Sequence, residues 1–215
     1  MFPVIDDCSN AIYTDSHGAD GGNLGYDSIT GDGGAKNIIT VGAVNEMSNG
    51  WTGQSDVTMS TFSGWGPMDD GRIKPDIVAK GVSVYSASYD ATSNSSYVSK
   101  NGTSMATPAI TGAIGLLLEY QTMLDPSTTL LSSTIKAILL HTADEAGPNL
   151  GPDYQFGWGV ANIHKAIELM ERNSTITNNI IQEIQYSGSE ININLNNVSS
   201  ANPMVITAVW TDPPF

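Results

Sequence analysis

The chain has a single cysteine, Cys8, in 215 residues, so no intrachain disulfide can form. It is also poor in cations, with eight Lys and Arg against 22 Asp and Glu and a formal net charge of −14. Nucleic acid is bound through a surplus of Lys and Arg, so this balance excludes a nucleic-acid partner and reads as a solvated acidic surface. No run reaches the ~18 apolar residues of a membrane span; the longest, Ile110 to Leu118, is about half that and lies within an amphipathic pattern. Met1 to Asp7 carry neither a basic leader nor an apolar stretch, so no secretory signal is read there, and Met1 is expected to be an internal methionine or a fragment boundary.

What is present is a globular composition. The hydrophobic fraction of 40% supports a real core, whereas only 14% of residues are charged and Gly, Ser, Thr and Asn are abundant, which predicts short elements joined by many loops. Residues 1 to 36 are rich in Gly, Asp, Asn and Ser and read as a long loop. Ile38 to Val44 is a β-branched run without alternation, as expected of a strand covered on both faces of a parallel sheet. Asp76 to Ala79 and Val82 to Tyr85 read as further short strands.

From Ser104 to Tyr120 the pattern becomes helical, with Pro108 expected in the first turn, where its missing N–H costs least. Gly112 and Gly115 each lower helix propensity by about 1 kcal/mol relative to Ala, which predicts that the helix is buried and closely packed there. Helices are also expected over Ser132 to Thr142, with Ile135, Ile138 and Leu139 on one face, and over Ala161 to Arg172. Beyond Asn173, Ile180 to Ile184, Glu190 to Leu195 and Val205 to Trp210 alternate with period two, as half-buried antiparallel strands do. The division is therefore residues 1–172 and 173–215, the second being the start of a β-sandwich with too few strands to close.

Gly102-Thr-Ser-Met-Ala-Thr-Pro108 is the segment that carries chemistry. A serine placed where a glycine-containing turn opens a helix presents its backbone N–H at the positive end of the helix dipole. Small neighbours such as Gly102 and Ala106 leave room for a substrate backbone. These are the requirements for a nucleophile with part of an oxyanion hole. Position alone would favour a helix cap, since Ser and Thr are common there.

The letters around Ser104 decide between these readings. Asn101 to Pro108 resembles the serine motif G-T-S-M-A-x-P of the subtilisin-like serine proteases, the subtilases (peptidase family S8). Asn37 to Val44 resembles the strand before the S-F-S-x-x-G-P turn of that family, present here as Thr61 to Pro67. Lys74 to Val82 resembles its K-P-D-(I/V)-x-A-P-G segment, with Lys80 where proline is usual, and Tyr154 to Asn162 resembles the stretch before its final helix. The resemblance implies an α/β, subtilisin-like three-layer fold with a parallel sheet, of which this chain holds the C-terminal portion. It further implies a secreted or cell-surface serine endopeptidase acting on polypeptides, with Ser104 as catalytic nucleophile and Gly102, Thr103 and Ser104 forming the oxyanion turn. A non-catalytic binding or adhesion domain on the same scaffold is the alternative.

A serine nucleophile needs a histidine base held by a carboxylate, and the family's order is Asp, His, Ser. His17-Gly18 matches only the first letters of the histidine motif and lies too near Ser104, while Val4-Ile-Asp-Asp7 has Cys8 where the aspartate motif has glycine. Neither His17 nor Asp6 is expected to serve; the aspartate, histidine and oxyanion asparagine are expected upstream of Met1. His141 and His164 follow Ser104 and are expected on helix surfaces or ends. No cofactor or catalytic metal is required. Calcium is frequent in the family as a structural ion, and Asp69-Asp70 and Asp144-Glu145 are the acidic pairs to weigh for it.

Overall fold

The computed structural model describes residues 4–5, 28–29, 31–68, 70–89, 92, 95–175, 180–188, 190–193 and 204–211. Five strands and three helices follow in the order β1 (Val4–Ile5), β2 (Ile39–Val44), β3 (Ile77–Lys80), β4 (Val84–Ala87), β5 (Tyr97–Lys100), α1 (Thr103–Leu124), α2 (Ser132–His141) and α3 (Ile163–Thr175). The first three form a parallel sheet in the order β1-β2-β3, with Val41 opposite Ile77 and Val44 opposite Lys80. β4 and β5 form a separate antiparallel ribbon.

The unalternating apolar run of β2 is explained by two cores. One face of the sheet, through Ile39, Val41, Ala43, Ile77 and Ala79, shares a core with α1, α2 and α3. The other face, through Val44 and Val78, packs on Val57, Ala146, Phe156 and Val160 from the loops. With both faces covered, the strand has no polar alternation, and all six residues of β2 are buried, Thr40 with its hydroxyl donating to the Gly33 carbonyl. The stretch before α3 is tied to β3 by main-chain bonds, the Val78 N–H donating to the Gly159 carbonyl (3.0 Å) and the Ala161 N–H to that of Val78 (3.1 Å).

Three expectations are corrected. Val4 and Ile5, taken as loop, pair in parallel with Ile39 and Thr40; two residues are too short a run to show a period. α1 starts at Thr103, so Pro108 is its sixth residue rather than part of the first turn, and the Ser104 carbonyl loses its helical donor. Gly112 and Gly115 are exposed, and a Cβ at either would meet nothing within 4 Å. The buried stripe of α1 is Thr103, Ala106, Thr107, Ile110, Ala113, Ile114 and Leu117, and the glycines lie off it.

After Thr175 no strand is formed among the described residues. Ile181 and Val209 reach the main core, while Ile180, Ile184, Ile191, Ile193, Val205, Ile206 and Trp210 are exposed. This tail grips α2 at both ends. Leu131, at the N-cap of α2, offers no side-chain cap, and the Glu183 carboxylate instead accepts the Leu131 N–H at 2.9 Å and the Thr134 hydroxyl. At the other end His141 Nδ1 lies 3.0 Å from Thr207 Oγ1. A carboxylate at a helix N-terminus satisfies an orphan donor and complements the dipole. Glu183→Ala is expected to destabilise the chain by about 1 kcal/mol, read as a lower urea midpoint and faster amide exchange at the start of α2; unchanged exchange there would dismiss the cap.

Candidate active site

Ser104 is the second residue of α1 and is exposed, between the fully buried Thr103 and Ala106. Its N–H therefore has no acceptor inside the helix and is free for an external anion. The turn that delivers it is fastened to the end of the sheet: the Gly81 N–H donates to the Val44 carbonyl (3.0 Å) and the Gly102 N–H to the Gly81 carbonyl (2.8 Å). The Asn101 side chain adds a third tie by accepting the Ser83 N–H at 2.7 Å. Gly102 adopts φ +152°, a region that side chains strain to reach. At Gly81 a Cβ would sit 2.5 Å from Ala43 Cβ and 2.7 Å from the Gly102 carbonyl oxygen, so the approach requires glycine. Gly102, Thr103 and Ser104 thus form one rigid turn with the serine outermost.

Lys80, where the resemblance led to proline, does not disturb this. It ends β3 in register with Val44 and its Nζ lies 2.7 Å from Glu46 Oε1.

A cavity of about 200 Å³ opens beside Ser104, lined also by Val84, Ser86, Ala87, Val98, Lys100, Met105 and Pro108. Strand β5 and Lys100 were missed in the sequence, where Tyr97-Val-Ser-Lys100 runs straight into the serine motif without any alternation.

The other candidates are placed elsewhere. Among the described residues no histidine lines the cavity with Ser104. His141 ends α2 against Thr207, and His164 on α3 is exposed, 3.2 Å from Glu168 Oε1 one turn on. Asp6, Cys8 and His17 lie outside the described residues, as does Asp69. The described members of the acidic pairs have partners within the chain. Asp70 holds Arg72 Nε at 2.6 Å, and that bond keeps its carboxyl below the usual range. Asp144 accepts from Asn162 and Lys165, and Glu145 from the N–H groups of Ala146 and Gly151. Their oxygens are thus engaged in ion pairs and hydrogen bonds within the chain. Among the described residues no three His, Cys, Asp or Glu side chains are grouped to share an ion.

A second charged cluster was also missed. Asp76, 3% exposed, receives Lys74 Nζ at 2.6 Å and Lys136 Nζ at 2.8 Å, and its Oδ2 accepts the Thr40 N–H at 2.8 Å. Burial pulls the Lys74 ammonium down to about 8, against the pull of Asp76 and with the help of Lys136.

A profile of the subtilase family (peptidase S8) matches residues 15–159. Serine protease AprX of Bacillus subtilis is 32% identical over 161 residues, covering 68% of this chain and 34% of AprX. C5a peptidase of Streptococcus pyogenes is 32% identical over 161 residues, 71% of this chain and 12% of that protein. Among solved structures, the CspB protease of Clostridium perfringens superposes with a TM-score of 0.57 at 28% identity, over 68% of this chain and 29% of that one. The prenylagaramide maturation protease PagA gives 0.51 at 26% identity, over 67% and 46%. The chain belongs to the subtilase family. It spans about a third of AprX and less of C5a peptidase.

Proposed function

We propose that this chain carries the nucleophile of a serine endopeptidase, Ser104, and that its Asp, His and oxyanion Asn come from residues outside these 215. The observation that carries the reading is an exposed serine at the N-terminus of a helix packed by one face on the core, held by a glycine turn bonded to the sheet and opening on a cavity. Ser104 Oγ attacks the peptide carbonyl and gives its proton to the histidine. The developing oxyanion is met by the Ser104 N–H, and collapse expels the amine with that proton, leaving an acyl-enzyme for water to hydrolyse. Polypeptides are the substrates. The reading requires no cofactor; calcium as a structural ion belongs to it at family level only, with no ligands assigned. It puts the protein outside the cell or at its surface; no helix among the described residues is long and apolar enough to cross a membrane. The alternating sequence after α3, several of whose described apolar side chains are exposed, supports the start of an antiparallel β-sandwich that further strands would complete.

The test is fluorophosphonate labelling of a polypeptide extended to include the aspartate and histidine. The expected adduct maps to the peptide containing Ser104, while the 215 residues alone turn over no peptide. An adduct that survives Ser104→Ala, or that maps to another serine, would refute the assignment.

A further inference from the structure

The cavity beside Ser104 has a composition that the chain as a whole does not. In a protein of net charge −14, the one charged side chain among its described lining residues is a cation, Lys100. Its placement follows from the ribbon. β4 and β5 pair with Val84 opposite Lys100 and Ser86 opposite Val98, so these four side chains share one face. All four line the cavity. On the other face Tyr85 and Tyr97 stack with centroids 5.6 Å apart, which pins the register and hence the lysine.

Lys100 is exposed, and among the described residues no carboxylate pairs with it. By contrast Arg72, Lys74, Lys80, Lys136 and Lys165 each hold one. The rest of the wall is small or apolar, apart from the hydroxyls of Ser86 and Ser104. A space of about 200 Å³ takes the volume of roughly six or seven waters, which suits one medium side chain.

We propose that Lys100 makes this cavity a subsite for an acidic side chain, Asp or Glu, on a substrate residue adjoining the scissile bond. The inference rests on Ser104 being the nucleophile, since only then does the cavity lie next to the bond that breaks. The bound carboxylate meets the Lys100 ammonium and accepts from the Ser86 hydroxyl, while its methylenes lie on Val84, Val98, Met105 and Pro108. The protein's overall charge slows the approach of acidic peptides, but that field is screened beyond about 8–10 Å at physiological salt. Contact selectivity is therefore set by Lys100.

The test uses the active, extended polypeptide with pairs of peptides that differ only as Asp against Asn or Glu against Gln on either side of the scissile bond. At one of the two positions the acidic peptide is expected to have the higher kcat/KM by about 3–5-fold, with the ratio shrinking as salt is raised. Lys100→Ser is expected to bring the ratio near one, and Lys100→Glu to invert it, a swing of about tenfold or more. Active-site titration with a fluorophosphonate runs alongside. If Ser104 is labelled but the ratios are the same in wild type and Lys100→Glu at both positions, the subsite is refuted and the peptidase reading stands. If Ser104 is not labelled, the peptidase reading fails and the subsite falls with it.

Discussion

Ser104→Ala is expected to lower kcat of the active, extended polypeptide by about 10⁴–10⁶-fold, with KM changed little. The size follows from what the hydroxyl does. Without Oγ no acyl-enzyme forms, so the two-step path is closed and water must attack the bound peptide directly. What survives is substrate binding and any oxyanion stabilisation, which together leave a residual rate well above that in water. A loss of 10⁴–10⁶-fold corresponds to about 5.5–8 kcal/mol of barrier. Alanine keeps the backbone N–H at the second position of α1, and its methyl suits an exposed first turn, so folding should not change. Steady-state kinetics on a fluorogenic peptide would show the fall, and a thermal melt would show the fold retained. A loss below tenfold, with the fold intact, would mean that another group attacks the substrate.

Much of this site could be read from the letters because it is built locally. Gly102 and Ser104 stand two residues apart, the turn is satisfied by φ at one glycine, and the helix that follows declares itself by its apolar spacing. The strand at Ile39 to Val44 was legible for a similar reason, since a stretch buried on both faces keeps no polar period. What the letters hid depends on contacts far along the chain. Gly81 needs glycine because Ala43 and the Gly102 carbonyl close on it. Glu183 caps a helix 52 positions away, and nothing in its own neighbourhood indicates this. β5 was hidden by the Ser- and Asn-rich run before it and by its own four residues, two apolar then two polar and largely exposed, which carry no strand period. Gly112 and Gly115 misled because a glycine in a helix signals either a close neighbour or an open face, and propensity cannot separate the two. The lysines at 74 and 136 were unremarkable for the opposite reason: a lysine is read as surface unless its partner is known.

That partner is Asp76, and Asp76→Asn is expected to cost about 3–5 kcal/mol of folding free energy, a large share of what holds a domain together. The carboxylate is shared. Lys74 and Lys136 approach different oxygens, at 2.6 and 2.8 Å, and the same group fixes the Thr40 N–H on β2. Lys136 also reaches the Ile38 carbonyl at 2.7 Å, so the cluster ties α2 to the start of the central strand. Asparagine keeps the shape but removes the one negative charge between two buried cations, and it turns an NH₂ toward one of them where an acceptor is needed. The pH dependence separates this mechanism from simple loss of packing. Lys74 in the fold sits near 8, below its ordinary 10.5, chiefly because burial penalises the charge. Between those values the unfolded chain binds more protons than the folded one, so stability contributed at this site rises with pH through that window. Asp76 opposes the depression, so its removal lowers the Lys74 value further and opens the window below 8. Urea denaturation of wild type and Asp76→Asn at pH 7 and pH 9 should therefore show a gap that is widest at pH 7 and narrows at pH 9, as Lys74 in the variant sheds its proton. A gap below about 1 kcal/mol, or one that does not change with pH, would show that the two lysines do not depend on Asp76 for their charge.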